Sequence, residues 1–210
     1  MRRLPAVALL ALASCATFPV VVPGAFVPPP RRLAVVRYTA GPIEGAQLFV
    51  RTGVQDVLTP YQAFKQALAQ SRRFLVADDP LVASSAAYLS LPLDGYAVSS
   101  PAPLRPVRFG SSAAPMLAQS LGADVLLSVH HRLFMVGCGG FTDCVGVRTF
   151  VEAWAPNGAP IWEDRFVSDS SPVMSVMGMH DPTQLQHAAS DALAHADQAA
   201  IGRLIMALGG

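Results

Sequence analysis

The segment from Ala123 to Asp169 limits the possible folds more than any other part of the chain. It holds three runs of strand length, ADVLLSVHHRLFMV, VGVRTFVEAWA and APIWEDRFVSD, separated only by short tips. Apolar, β-branched and aromatic residues recur through each run, the composition that fits a pleated, half-buried surface. The first tip is CGGFTDC, and the second, Pro156-Asn157-Gly158, is a tight-turn signature. Strands joined this closely must pair antiparallel, because a parallel pair needs a crossover of about a dozen residues or more. Residues 123–169 therefore predict an antiparallel three-strand meander. Asp181-Pro182-Thr183-Gln184 then reads as a helix start, with an acidic cap and a proline where its missing N–H costs nothing. The helix that follows places Leu185, Ala188, Ala192, Leu193, Ala196, Ala199, Ala200, Leu204 and Leu208 on one apolar stripe and ends at Gly209-Gly210. Such a stripe must be buried, and the meander is the nearest surface to bury it.

The amino-terminal half offers the remaining elements. RLAVVRY, Arg32 to Tyr38, is a strand, and AQLFVR at residues 46–51 is a candidate partner for it. Thr59-Pro60-Tyr61-Gln62 predicts a helix capped by Thr59, running through Phe64, Leu68 and Arg72 into a strand at FLVA. SAAPMLAQSLG predicts a short helix closed by Gly122 in a left-handed conformation. Residues 79–112, rich in Ser, Pro, Ala and Leu, show no sustained period. A loop of this length is uncommon in a compact domain, and a functional segment and an inserted one are both open. The expected fold is α/β (α+β): a mixed sheet with a carboxy-terminal antiparallel three-strand meander packed by two to three helices, in a single domain spanning 32–210.

The amino terminus reads differently. Met1-Arg2-Arg3 is positive, Leu4 to Ala13 is an uncharged apolar run, and small residues lead to Cys15. The run falls short of the roughly 20 residues that span a bilayer and has the order of a secretory signal. Leu12-Ala13-Ser14-Cys15 resembles the lipobox of bacterial lipoproteins. The resemblance implies removal of residues 1–14, diacylglyceryl transfer to Cys15, acylation of its freed amine, and a lipid anchor on the membrane. Ala16 stands where that family's inner-membrane retention signal places an aspartate, which implies the outer membrane, facing the periplasm. Residues 15–31, rich in proline, are expected to form a tether, with docking of PVVVPGAFV as an edge segment the alternative. Loss of Arg2 and Arg3 takes the formal charge from +1 to −1, and so near-neutral a chain gives no case for a nucleic-acid partner.

The order helix, LGADVLL, long hairpin, NGAPIWEDRF and alanine-rich terminal helix resembles the α/β domain of envelope proteins related to the TolB amino-terminal domain, the curli secretion lipoprotein and the lipoprotein activators of penicillin-binding proteins. Gly122-Ala123-Asp124 and the strand entry from Gly158 to Trp162 carry the resemblance. It implies a non-catalytic protein without cofactor that binds or scaffolds another envelope protein in secretion, transport or cell-wall synthesis. A role beside a lipid transporter is a further possibility.

The residues with chemistry of their own are few. Cys138 and Cys144 flank the hairpin tip, and in an oxidising compartment they read as a disulfide closing a short loop, worth roughly 2 kcal/mol. A metal site there would recruit His130 or His131, but only one of them, since neighbours on a strand face opposite ways. Met174, Met177, Met179 and His180 fall within seven residues, and thioethers with an imidazole suit Cu(I). The same methionines equally suit a flexible apolar loop under the last helix. Asp191 and His195 are spaced to pair on a helix surface. Glu152, Glu163 and Asp164 are expected on a solvated strand face, and no G-x-S-x-G elbow is present.

Overall fold

A computed structural model describes residues 20–21, 30–45, 56–97, 99–140, 142–169, 172–176 and 179–208. The expected signal, Cys15, most of the proline-rich stretch and all of AQLFVR lie outside the described residues.

Strand β2 (Arg31–Glu44) is twice the length expected of it. Its register against the neighbouring strand shifts between Val35 and Arg37 and again between Ala40 and Ile43, so that Pro42, which has no N–H to offer, sits where pairing is interrupted. Helix α1 (Leu58–Gln70) starts on a different cap from the expected one. Thr59 lies inside the first turn, and Asp56 accepts the Leu58 and Thr59 N–H groups at 3.1 and 3.3 Å and the Thr59 hydroxyl at 2.9 Å. A carboxylate just before the helix reaches the orphan donors that a residue already in the turn cannot. Arg72 falls past the helix end, in a left-handed turn with φ 55°, and β3 (Phe74–Val76) follows.

Residues 79–112 are not a featureless loop. They contain α2 (Asp79–Ser84) and α3 (Ala86–Leu89), then an extended course tied by backbone bridges, Ala40 to Ser99 and Leu93 to Val107. Tyr88, Leu91, Leu104, Val107 and Phe109 are all buried, which is why the segment holds its course without periodicity. Helix α4 (Ala114–Leu121) then ends at Gly122, left-handed at φ 58° as expected.

The meander is β4 (Val125–Gly139), β5 (Thr142–Trp154) and β6 (Pro160–Asp169), paired antiparallel throughout. Parallel β2 and β3 extend it into a mixed sheet of order β6-β5-β4-β2-β3. A two-residue strand β1 (Val20–Val21) pairs with Glu163 and Trp162 on the free edge of β6, so this part of the expected tether docks on the sheet. Strands β7 (Val173–Val176) and β8 (Met179–His180) form a small ribbon that meets β5 at Thr142 and Asp143.

Helix α5 (Pro182–Leu208) lies over β5 and β6 beside α1 and buries its predicted stripe. Asp181 caps it, accepting the Thr183 and Gln184 N–H groups at 2.8 and 3.0 Å. Between the helices and the sheet Tyr38, Tyr61, Phe64, Leu133 and Trp162 are fully or almost fully buried. The described helices include none long and apolar enough to cross a membrane.

Candidate functional site

Successive side chains of a strand point to opposite faces, and β4 divides two chemistries that way. His131 points under α5, where it is fully buried. Its Nδ1 lies 3.0 Å from the Thr149 hydroxyl, and its Nε2 faces Asp197 Oδ1 at 3.4 Å, too far and too poorly aligned for a good hydrogen bond. The Tyr38 hydroxyl donates to Asp197 Oδ2 at 2.7 Å. Three strands and the last helix thus share one buried polar cluster. Burial pushes both the Tyr38 phenol and the Asp197 carboxyl up from their ordinary values. Asp197 interrupts an otherwise alanine-rich stripe, and its position among Ala196 and Ala200 gave no hint of partners on β2 and β4.

His130 points the other way. The register stacks two cross-strand rows on that face, Arg37 with Ser128, Glu152 and Glu163, and Thr39 with His130, Phe150 and Arg165. The 94–110 segment covers only part of this face. Phe109 closes edge-to-face on Trp154 at 6.2 Å, and Asp94 forms an ion pair with Arg37. Beyond that cover a cavity of about 390 Å³ stays open, lined by Arg37, Tyr96, Ser128, His130, Phe150 and Glu152, with Arg132 at its rim. The volume is at the small end of ligand-sized pockets.

The walls of this cavity are aromatic and its polar groups are desolvated. His130 stacks near Phe150 at 6.0 Å and meets the edge of Tyr96 at 6.2 Å. The Arg165 guanidinium lies over Phe150, and that of Arg132 lies over Tyr96 while pairing with Glu44 at 2.9 Å. Thr39 Oγ1 holds His130 Nδ1 at 2.9 Å. Burial, helped by the Arg37 charge, pushes the His130 imidazolium down to about 4, so the ring is neutral near pH 7. Burial also lowers Arg37, against the pull of Asp94, and the buried Arg37 Nε has no hydrogen-bond partner. Glu152 is raised by burial, drawn back by Arg37 and raised again by its neighbour Glu163. One donor and one carboxyl, both short of solvent, therefore border an aromatic cleft.

The residues singled out from sequence are distributed rather than gathered. Cys138 and Cys144 face each other at disulfide distance, with Cα atoms 5.8 Å apart. His130 is far from them: Cys144 pairs with Val136, six residues along β4 and therefore about 20 Å away. The histidines and cysteines form no common metal site, and among the described residues no three His, Cys, Asp or Glu side chains gather around one point. Met174, Met179 and His180 belong to β7 and β8, where Met179 pairs with Val176 and His180 with Ser175. Met177 lies outside the described residues. Asp191 and His195 stand 3.8 Å apart on exposed helix surface. Of the carboxylates expected on a solvated face only Glu163 is exposed. Asp164 turns inward to pair with Arg203 at 2.9 Å, and Glu152 lines the cavity. Alternation along β6 sends adjacent Glu163 and Asp164 to opposite sides, so they could not share one.

No family model matches the chain, and no curated protein matches it. Solved structures that match it do so at low identity and low TM-score. The LpoB carboxy-terminal domain from Salmonella enterica is 14% identical, with 67% of this chain and 84% of that one covered and a TM-score of 0.40. A hypothetical protein from Chlamydia trachomatis is 11% identical, with 85% and 95% covered and a TM-score of 0.45. A lipoprotein from Neisseria meningitidis is 14% identical, with 81% and 99% covered and a TM-score of 0.38.

Proposed function

We propose that this chain is a lipid-anchored, non-catalytic protein of the cell envelope whose domain binds another envelope protein through the open face of its sheet. The observation that carries the binding reading is the cavity beside the 94–110 segment. Arg37 keeps a buried, unpartnered Nε there, Glu152 is held partly desolvated, and Tyr96, His130 and Phe150 supply flat apolar area. Buried aromatic and arginine groups ringed by polar residues are the composition of interface hot spots. A loop of a partner protein meets both needs, offering a backbone carbonyl to Arg37, an N–H to Glu152 and a side chain to the rings. The anchor rests on Leu12-Ala13-Ser14-Cys15. The cysteine pair at the hairpin tip fits an oxidising compartment.

A photoreactive residue in place of Arg132, at the cavity rim, tests the binding face in the native envelope. One dominant crosslinked protein is expected, and it should disappear when Glu152→Lys is added. Crosslinking that yields no specific protein, or a product indifferent to Glu152→Lys, overturns the assignment. Cys15→Ala should leave an uncleaved precursor that takes up no labelled palmitate.

A further inference from the structure

We infer that the domain rests close against the bilayer by the β6 edge of its sheet instead of hanging from the end of a free tether. The inference builds on the lipid-anchor reading above and adds where the anchor lets the domain go. Val20 and Val21 pair antiparallel with Glu163 and Trp162, so the chain is already on the sheet at residue 20. Only five Cα steps separate Cys15 from Val20, which is at most about 18 Å whatever path the chain takes. Acyl chains on Cys15 would be in the hydrocarbon, which fixes that residue at the membrane surface. Strand β6 lies one strand spacing beyond β1, about 4.8 Å further, so its Trp162–Glu163 pair is held within roughly 23 Å of the bilayer. If the chain first joined the fold at Arg31, the sixteen steps from Cys15 would allow more than 50 Å.

The sheet order decides which edge is near. Strand β3 is at the far side, four strand spacings and about 19 Å from β6. Glu163, Arg165 and Val167 are exposed along β6 beyond Pro160, and Arg203 reaches the same strand through Asp164 and over Phe166 at 4.6 Å. Arg165 and Arg203 are matched in number by Glu163 and Asp164, so this edge is near-neutral and does not repel an anionic lipid surface, and Val167 adds an exposed apolar side chain to it. Phe150 and the cavity lie one strand inward from β6. A partner reaching that cavity would thus approach at membrane level.

The test uses the full acylated protein in vesicles of phosphatidylethanolamine and phosphatidylglycerol doped with headgroup-spin-labelled phosphatidylcholine. Val167→Cys and Leu75→Cys are equally exposed positions, 53% and 55%, on the near and far edges. With Cys15 acylated and Cys138 and Cys144 joined, each carries a single free thiol for a fluorophore. Quenching at residue 167 should exceed that at residue 75 severalfold. A long glycine-serine insertion between Ala16 and Thr17, which leaves β1 intact, should erase the difference. Equal quenching at the two sites, stronger quenching at residue 75, or a difference that survives the insertion overturns the inference while leaving the anchor in place. Failure of the unmodified protein to incorporate palmitate or to sediment with vesicles overturns the anchor reading itself, and this inference with it.

Discussion

Acidification should weaken this fold through His130 in a window where ordinary carboxylates have not yet titrated. An unfolded histidine protonates near 6.5, whereas burial beside Arg37 holds His130 down to about 4. Between those values the unfolded chain binds a proton that the folded one refuses, so stability is fully present above about pH 6.5 and is lost as pH falls toward 4. The full difference of about 2.5 units corresponds to a ceiling of about 3 kcal/mol at 1.36 kcal/mol per unit, of which about 2 kcal/mol is gone by pH 5. The Arg37 and Arg132 charges disfavour the imidazolium, and Asp94 opposes them. Raised Glu152 and Asp197 act with the opposite sign, since their folded forms take up protons first and gain stability on acidification. The comparison must therefore be between variants. Urea unfolding of the mature chain carrying Cys15→Ser, with and without His130→Gln, at about pH 8, 6.5 and 5 isolates the one group. The parent should lose about 2 kcal/mol more than the variant between pH 8 and 5. Parallel curves, or a His130 ring that titrates by NMR at 6.5 or above, would refute the reasoning.

Asp197→Ala should cost about 2–3 kcal/mol at neutral pH, because it strands the Tyr38 hydroxyl in a dry core, while Asp197→Asn keeps an acceptor for Tyr38 and should cost less than half of that. Denaturant midpoints of the two variants check the order. Gly158 has φ 82°, and an added Cβ would stand 2.8 Å from the Ser111 carbonyl, so Gly158→Ala should lower stability by about 1–3 kcal/mol, whereas alanine at Gly95, which has open space, should change little. Alkylation mass spectrometry of the native protein should find Cys138 and Cys144 blocked until reductant is added. Cys138→Ser with Cys144→Ser should cost about 2 kcal/mol, and two freely reacting native thiols would sink the disulfide.

What the sequence made legible was what its periodicities encode. The meander could be read because its tips are too short for anything but hairpins, and α5 because its stripe repeats over the whole helix. The cavity could not. It depends on Arg37, Ser128, His130 and Glu152 arriving side by side from three strands far apart in sequence, which only register settles. Register followed from the bulge between Val35 and Arg37 and from pairing with β2, neither of which a local pattern announces. Residues 79–112 resisted for a related reason: Tyr88, Leu104 and Val107 are buried one at a time along an irregular course, so they leave no period. Asp56 outranked Thr59 as the α1 cap because it stands outside the first turn, where its oxygens reach the N–H groups of Leu58 and Thr59.

The alternation along β4 also restricts how this protein can change over generations. His130 and His131 are neighbours in the chain yet serve a solvent-facing cleft and a sealed core, and the whole strand keeps to the same odd-even division. Loss or gain of a single residue between Val125 and Leu133 would exchange the two sets, sending Arg132 toward α5 and Leu133 into the cleft. Such a chain would forfeit its interior and its binding face in one event. The cleft can therefore be retuned by replacing side chains in place, but changes of length have to fall elsewhere, at the hairpin tip, where Gly137, Gly139 and Gly140 have open space around them.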